Sequence, residues 1–342
     1  MIENISIIIW FLFVISVVLI LYGGVRLTRS GDIIAEKTGI GRAWIGLVII
    51  SFATTLPELV TSISAICLVK EPDLAVGNCF GSMAFNLLLV TFIDLFGREG
   101  LLRGEINRGL LLSGGLITVL LLIIQFSMLS WRFYPIASFS IWQSDLTSFL
   151  IIIIYFLTTR MIFNYGRQTV PSLETSVRPE YESYTLGKSF VLYGVSAFLV
   201  LVGGVLLAKT ANRIAIETGI GQTFVGSTLV GITTSLPEMV VAFSAVRLGA
   251  PEMVLGNILG ANLFNLIIVA LCDFVYRQGI LLKSIDFTHS VTIVMVVIMT
   301  GVVLLGKYYH FKKKILRLGW DSISLFLIYS IGLTLLYTLK GS

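Results

Sequence analysis

Two glutamates stand directly after a proline in two nearly identical segments of this sequence. Glu58 lies in SFATTLPELVTSISA at Ser51–Ala65, and Glu238 lies in GITTSLPEMVVAFSA at Gly231–Ala245. Both segments are apolar enough to be buried in a membrane, where a charged carboxylate costs about 2.5–3.5 kcal/mol on insertion scales. Because the chain bears this cost twice at matched positions, we expect the two carboxylates to hold a positively charged group.

Other oxygen-bearing groups accompany each glutamate. Pro57 and Pro237 lack an N–H and clash with the carbonyl four residues back, so each predicts a helix break that frees backbone carbonyl oxygens. Hydroxyls and amides near these prolines, or at helical spacing on the next apolar segment, are Thr54, Thr55, Thr234, Ser235, Asn78, Ser82, Asn86, Asn257 and Asn265. We assign Asn86 and Asn265 to the site, whereas Asn78 and Asn257 fit a bond between helices equally well.

The types of these donors indicate the cation. Oxygen ligands without histidine or cysteine at metal-ligand spacing suit a hard cation such as Ca²⁺, not zinc, copper or iron. Two negative charges balance one divalent cation or two monovalent cations. A site that accepts either set in turn, but never both, is predicted to exchange one for the other.

The elements that must position these groups are membrane spans. The chain has 342 residues, of which 56% are hydrophobic and 13% charged, as in a polytopic membrane protein. Hydropathy predicts ten spans, at about 5–27, 43–68, 74–96, 108–128, 146–164, 188–208, 223–248, 253–275, 287–306 and 320–339. The first is interpreted as an uncleaved span and not as a signal peptide.

The basic residues predict the orientation of these spans. Most of the 24 lysines and arginines fall on one side of the predicted topology. Since such residues concentrate in cytoplasmic loops, we expect both termini outside and the central loop in the cytoplasm. Topology accounts for the net charge of +5, so the lipid bilayer is the expected partner and no nucleic acid is expected.

A shift of about 180 residues aligns the first half of the sequence with the second. Glu58 then meets Glu238, and Asn86 meets Asn265. An odd number of spans in each copy requires the second copy to enter the membrane upside down. We therefore predict an all-α integral membrane protein with ten transmembrane helices in two inverted-topology five-helix repeats. The first repeat, the cytoplasmic linker loop and the second repeat are expected at 1–163, 164–187 and 188–342.

At these motifs the chain resembles the cation/calcium exchanger superfamily, and within it the prokaryotic sodium/calcium exchangers. Thr54–Glu58 and Thr234–Glu238 resemble the first part of the family's α-repeats, and Gly77–Asn86 and Gly256–Asn265 resemble the second. The resemblance implies a secondary active antiporter, and not an enzyme, that exchanges Ca²⁺ for Na⁺ by alternating access. It also implies no organic cofactor, a prokaryotic plasma membrane, and a monomer that suffices for transport.

The resemblance also assigns ligands. Ca²⁺ would be held by Glu58, Glu238 and the backbone carbonyls of Thr54 and Thr234. Na⁺ would use the same glutamates with further donors, which are Thr55, Ser82, Ser235 and the carbonyls near Ser51 and Gly231. The first and sixth helices would slide as a pair across the remaining bundle. The glycine pairs that could permit this contact are Gly23-Gly24 and Gly203-Gly204.

Two positions depart from the family pattern. Sodium exchangers of this type commonly have an aspartate at the position of Asn265 and often a serine at the position of Ala261. One charge and one hydroxyl are therefore missing. We expect Ca²⁺ binding by the two glutamates to be little affected. The missing groups weaken the prediction that transport is coupled to Na⁺, and they argue against co-transport of K⁺.

Three other functions remain open at this point. Two buried glutamates could carry protons, which would make the chain a proton-coupled exchanger of Ca²⁺ or another divalent cation. Paired carboxylates could also serve a membrane-embedded hydrolase, although no nucleophile or metal-ligand motif accompanies them. A cation channel is the third possibility, and it would be recognised by ion conductance that is not coupled to a second ion.

Outside the site, Asp145 is expected to cap a helix, and Asp94 and Asp273 to attract ions or end helices.

Overall fold

The structure is a computed structural model that describes residues 2–38, 51–96, 108–134, 140–141, 144–169, 183–247, 251–309, 314–315 and 318–339. Elements of the first half are α1 Ile2–Thr38, α2 Ser51–Thr54, α3 Leu56–Ser64, α4 Pro72–Phe96, α5 Arg108–Phe133, β1 Ser140–Ile141, β2 Ser144–Asp145 and α6 Leu146–Thr169. Elements of the second half are α7 Leu186–Thr218, α8 Gln222–Val225, α9 Gly231–Thr234, α10 Leu236–Arg247, α11 Pro251–Val275, α12 Leu281–Ser284, α13 His289–Tyr309, β3 Lys314–Ile315, β4 Leu318–Gly319 and α14 Trp320–Leu339. Two π-helical turns, at Ala65–Val69 and Gly226–Val230, follow α3 and join α8 to α9.

The described helices include seven that are long and apolar enough to cross a membrane. An eighth is formed if the segment from α8 to α10, which bends by 41°, counts as one broken span. Of the predicted span at 43–68, the structure describes only the part from Ser51 onward. Two antiparallel two-residue ladders, β1–β2 and β3–β4, are the departure from an all-α chain within the described ranges, and each directly precedes a long helix. The molecule is an integral membrane protein.

The helices of the first and sixth predicted spans, α1 and α7, extend about ten residues further than hydropathy predicts. The spans were expected to end near 27 and 208, but α1 continues to Thr38 and α7 to Thr218. In α7 the extension buries Ala211, Ile214 and Ala215, whose spacing of three and four residues places them on one face. An amphipathic stripe of this kind stabilises the end of α7, where the mean hydropathy has already fallen. The segment after residue 27, which was predicted as a polar loop, is also helical, and α1 ends at Thr38.

Helices α4 and α11 form the centre of the molecule. The membrane-spanning part of α4 is almost completely buried and that of α11 largely so, whereas α5, α7 and α14 expose apolar side chains suited to lipid. Each central helix packs against the last two long helices of the opposite half. Helix α4 contacts α13 and α14, and α11 contacts α5 and α6. The two halves are therefore interleaved and not merely side by side.

Asp273 in α11 secures the beginning of α6. Its Oδ2 accepts hydrogen bonds from the backbone N of Asp145 at 2.8 Å and from the Oγ of Ser148 at 2.7 Å. Its Oδ1 accepts from the backbone N of Leu281 at 3.0 Å. Asp145 in turn accepts from the backbone N of Thr147 at 2.7 Å, which confirms its predicted role as a helix cap.

Asp94 in α4 makes the matching contact with the other half. Its Oδ2 accepts from the backbone N of Gly319 at 3.1 Å and from the Oγ of Ser322 at 3.0 Å, where α14 begins. Asp94 and Asp273, which were expected to attract ions or end helices, thus have a structural role. Both carboxylates fasten a central helix to the last long helix of the opposite half.

The two glycine pairs allow close packing around α1 and α7. A β-carbon at Gly23 would lie 3.0 Å from Cγ2 of Val200, and one at Gly203 would lie 2.9 Å from Cγ1 of Ile20. These two glycines therefore let α1 and α7 approach each other, as small residues do in membrane helix pairs.

The second glycine of each pair faces a different helix. A β-carbon at Gly24 would lie 2.8 Å from Cγ of Pro237, and one at Gly204 would lie 2.8 Å from Cγ1 of Val60. Thus α1 approaches the proline that precedes Glu238, and α7 approaches the helix that carries Glu58.

Candidate functional site

Both prolines interrupt their helices as the sequence predicts. The break falls at Thr55, with φ −87° and ψ 3°, and at Ser235, with φ −86° and ψ 5°. The following helices, α3 and α10, therefore carry Glu58 and Glu238 in their first turns. A helix N-terminus is the favourable end for a negative charge, so the same break both bends the span and supports the carboxylate.

The carboxylate of Glu58 is completely buried and bridges the two halves. Its Oε1 accepts a hydrogen bond from the Oγ of Ser235 at 3.1 Å. Its Oε2 has no hydrogen-bond partner among the residues that the structure describes. A glutamate of the first half thus accepts a hydrogen bond from a hydroxyl of the second half.

The carboxylate of Glu238 is equally buried, but its surroundings differ. Neither carboxylate oxygen has a hydrogen-bond partner within the described ranges. Its helix, α10, contacts α2 of the first half, which carries Thr54. The Thr54 hydroxyl also lies near this carboxylate, but it donates to the carbonyl of Ser51 at 3.1 Å. Each half therefore supplies one buried acidic group, and most of their oxygens have no partner among the described residues.

Ser82 belongs to a hydrogen-bond network that crosses between the halves. Its Oγ donates to the carbonyl of Gly231 at 3.0 Å and lies 3.2 Å from the Oγ1 of Thr234. Thr234 donates to the Oδ1 of Asn78 at 2.9 Å, and the Nδ2 of Asn78 donates to the Oγ of Ser62 at 2.8 Å. Both amide atoms of Asn78 are used, so this residue joins helices and does not offer a free oxygen.

Two carbonyls that the resemblance assigns to Na⁺ accept protein donors in this conformation. The carbonyl of Ser51 accepts from the hydroxyl of Thr55 at 2.7 Å, in addition to Thr54. The carbonyl of Gly231 accepts from the backbone N of Ser235 at 3.3 Å, in addition to Ser82. The Ser51 hydroxyl is buried without a partner among the described residues. Rotation of the donating hydroxyls would be needed before either carbonyl faced a cation.

The amides of Asn86 and Asn265 differ in their contacts. The Nδ2 of Asn86 donates to the Oδ1 of Asn262 at 3.1 Å, and its own Oδ1 has no partner in the described part of the chain. Neither amide atom of Asn265 has one there either. The aromatic rings of Phe52 and Phe264 pack edge to face at 5.3 Å, so the residues beside Asn265 lie against α2.

Asn262 is a polar residue of this region that the sequence did not single out. Its Nδ2 donates to the backbone carbonyl of Met83 at 3.2 Å, so it connects α11 to α4 in the molecular centre. The repeat gave no signal, because the residue aligned with Asn262 in the first half is Met83. The asparagine alone, next to Ala261 in an apolar helix, was the available clue.

The buried donors have the chemistry of a hard-cation site. Carboxylates, amide oxygens and hydroxyls are the groups that Ca²⁺ and Na⁺ accept, and Ca²⁺ takes about six to eight oxygens. Buried polar atoms are nearly always paired, and three of the four carboxylate oxygens here are not paired with any described residue, which suits a cationic substrate that would complete them. Within the described ranges, unpaired buried oxygens also occur outside the candidate site, at Thr61, Gln125, Ser227, Asn257, Thr292 and Tyr329. The unpaired oxygens of the candidate ligands are Glu58 Oε2, Glu238 Oε1 and Oε2, Asn86 Oδ1, Asn265 Oδ1 and Ser51 Oγ, as judged among the described residues.

Comparison with known proteins places this arrangement in a family. The family model described as "Sodium/calcium exchanger protein" matches residues 8–164 and 188–338. The chain is 27% identical to Inner membrane protein YrbG of Escherichia coli (strain K12), over 75% of this chain and 77% of that protein. It is 24% identical to Sodium/calcium exchanger MaX1 of Methanosarcina acetivorans, over 94% of this chain and 97% of that protein.

A solved structure supports the same assignment at the level of fold. The sodium-calcium exchanger NCX_Mj, soaked with 2.5 mM Na⁺ and 10 mM Sr²⁺, matches with a TM-score of 0.58 and 25% identity. The match covers 96% of this chain and 99% of that one. Since the family model covers most of the sequence and the fold agrees, the protein belongs to the sodium/calcium exchanger family and is a secondary transporter, not an enzyme.

Proposed function

We propose that this protein exchanges Ca²⁺ for Na⁺ across the membrane at one site between Glu58 and Glu238. The observation that carries the proposal is a pair of fully buried glutamates, one from each half, each in the first turn of a helix that begins at a proline break. Three of their four oxygens have no protein partner among the described residues. A buried charge is stable only when it is paired, and a cation between the two carboxylates would pair both.

The remaining proposed ligands are those that the resemblance to the exchanger superfamily implies, together with the two site asparagines. Ca²⁺ would take the two carboxylates and the carbonyls of Thr54 and Thr234, and Na⁺ would use the same carboxylates. Asn86 and Asn265 are proposed as donors to either cation. The further donors proposed for Na⁺ are Thr55, Ser82, Ser235, Ser51 and Gly231. Because both ions require Glu58 and Glu238, they cannot be bound together, and this competition would couple their movements.

The proposed transport cycle uses two inverted repeats. These would be 1–163 and 188–342, with 164–187 as a cytoplasmic loop and both termini outside. The matched contacts of Asp94 and Asp273 support this symmetry, since each fastens the last long helix of the opposite half. Close packing of α1 and α7 at their glycines suits a pair that slides past the site. All proposed ligands belong to one chain, so a monomer would suffice.

The test is uptake of radioactive Ca²⁺ into proteoliposomes that contain the protein and an outward Na⁺ gradient. Wild-type protein is expected to accumulate Ca²⁺ only while the gradient lasts. The Glu58→Gln, Glu238→Gln double variant should lose at least about 100-fold in rate, because removing a buried charged partner costs about 3–5 kcal/mol. The control is the Ser148→Ala variant, which removes the hydrogen bond to Asp273 at the beginning of α6 and should retain uptake. Equal uptake by the double variant and the wild type would exclude the proposed site.

A proton-coupled exchanger is the second candidate, and one observation favours it. Asn265 and Ala261 stand where sodium exchangers of this family commonly carry an acid and often a hydroxyl, so this chain has fewer donors for Na⁺. A pH gradient imposed in the absence of Na⁺ separates the two candidates. Ca²⁺ uptake driven by that gradient would favour protons, whereas uptake only with Na⁺ would favour sodium. Membership of a transporter family removes the hydrolase interpretation.

A further inference from the structure

We infer that Asn262 is a positioning residue that fixes the amide of Asn86 with its oxygen directed to the transported cation. The inference rests on the proposed function, because it concerns one of the proposed ligands. Asn262 would not touch the ion itself. It would decide which end of the neighbouring amide the ion meets.

The direction of the hydrogen bonds carries this inference. A backbone carbonyl can only accept, so the carbonyl of Met83 requires Asn262 to present its Nδ2, and the two atoms lie 3.2 Å apart. The Oδ1 of Asn262 must then face Asn86, which answers with its Nδ2 at 3.1 Å. The Oδ1 of Asn86 is consequently turned away from this chain of bonds. It is buried and has no protein donor among the described residues.

Burial makes this orientation durable. Asn86, Asn262 and Met83 are each 0% exposed, so water cannot replace either bond. Reversal of the Asn86 amide would bring its oxygen against the oxygen of Asn262 and would leave a buried donor unpaired. Such an orphaned group is costly in an apolar interior. The amide of Asn86 is therefore held as an acceptor, which is the form a cation needs.

The second half of the molecule lacks a corresponding hydrogen bond to its own site asparagine, Asn265, among the described residues. The repeat aligns Asn86 with Asn265 and Asn262 with Met83. A methionine side chain cannot hold an amide in one orientation, and both amide atoms of Asn265 lack partners within the described ranges. Asn262 thus makes the two proposed asparagine ligands unequal. Asn86 is a fixed oxygen donor, whereas no hydrogen bond from a described residue orients the amide of Asn265.

The experiment compares Asn262→Leu with wild type in full-length protein. Three quantities are measured, namely the Kd for Ca²⁺ of the purified chain, the KM and maximal rate of Na⁺-driven uptake, and the unfolding temperature. Loss of one neutral hydrogen bond at Asn86 predicts a rise in Kd and KM of about 3- to 10-fold, with the maximal rate nearly unchanged. The Ser148→Ala variant, which loses a contact between helices away from the site, should lower the unfolding temperature and leave KM unchanged.

A double-mutant cycle distinguishes positioning from direct binding. If Asn262 acts only through Asn86, adding Asn262→Leu to Asn86→Ala should not raise KM further. Multiplying effects, or an unchanged KM in a folded Asn262→Leu protein, would overturn the inference. Asn262→Ala provides the same comparison if the leucine variant does not fold. A wild-type protein that binds no Ca²⁺ would overturn the proposed function and this inference with it, whereas unaltered affinity in the variant overturns this inference alone.

Discussion

At the scale of single residues, two identical motifs have different surroundings. The carboxylate of Glu58 accepts from Ser235 across the molecule, whereas the carboxylate of Glu238 has no partner in the described part of the chain. The same contrast holds for the matched asparagines, because Asn78 uses both amide atoms and Asn257 uses neither among those residues. In these two pairs, unlike Asp94 and Asp273, the matched side chains have different contacts in the two halves.

Asn78→Leu and Asn257→Leu should therefore affect stability in opposite directions. Asn78→Leu removes bonds to Ser62, Thr234 and the backbone carbonyl of Glu58, and leaves buried groups unpaired. We expect a loss of about 1–3 kcal/mol in the free energy of unfolding. Asn257→Leu replaces a buried unpaired amide and should leave stability equal or higher. Thermal unfolding in detergent without Ca²⁺ measures both, and equal destabilisation by the two variants would contradict this account.

The residues of the site were partly accessible from sequence. The glutamates, the prolines and the hydroxyls beside them could be predicted because the repeat marks them twice. Asn262 could not, because its role depends on how closely α11 packs on α4, and its counterpart Met83 contributes only a carbonyl. Comparison of the two repeats cannot predict a contact that only one half of the molecule makes.

At the scale of elements, the helices around the site differ in what hydropathy could predict. Apart from α1 and α7, the ends of the long helices were predicted to within about five residues, because apolar runs of about 20 residues are distinctive. The extensions of α1 and α7 were missed because charged residues lower the hydropathy of both segments, and in α7 the buried stripe lies among those charges. Their glycines have two separate tasks, which sequence alone did not distinguish: Gly23 and Gly203 bring α1 to α7, and Gly24 and Gly204 bring each to a site-bearing helix.

Gly24→Ala should slow transport more than it weakens binding. The new methyl group would lie 2.8 Å from the ring of Pro237, a ring that cannot rotate away. Overpacking costs about 1–3 kcal/mol, and α1 is proposed to slide past this point in every cycle. We expect the maximal rate of Ca²⁺ uptake to fall about 5-fold or more, with the Kd for Ca²⁺ changed less than about 2-fold.

Gly194→Ala is the matched control on the partner helix. A β-carbon at this position would meet no atom within 4 Å, so the substitution should be neutral for transport. Alanine also favours a helix over glycine by about 0.5–1 kcal/mol, and stability should not fall. A Gly24→Ala protein that transports at the rate of Gly194→Ala would contradict a tight contact at Pro237 during the cycle.

At the scale of the whole molecule, the two halves depend on each other. Asp94 and Asp273 bind the start of the last long helix in the opposite half, and α4 and α11 meet through Asn86 and Asn262. The odd number of spans predicts that the halves are inverted, but it does not predict which helices exchange contacts. That information lies in pairs of residues far apart in the chain, such as Asp94 and Ser322, which no local pattern connects.

The most direct test of the central claim is equilibrium binding of radioactive Ca²⁺ to the purified protein, titrated with Na⁺. We expect one Ca²⁺ per chain, displaced competitively by Na⁺, and binding lost in either Glu58→Gln or Glu238→Gln alone, because each half supplies one carboxylate to the same ion. Ser148→Ala should bind as the wild type does. Unchanged Ca²⁺ binding in either glutamine variant would contradict a shared site between the two glutamates.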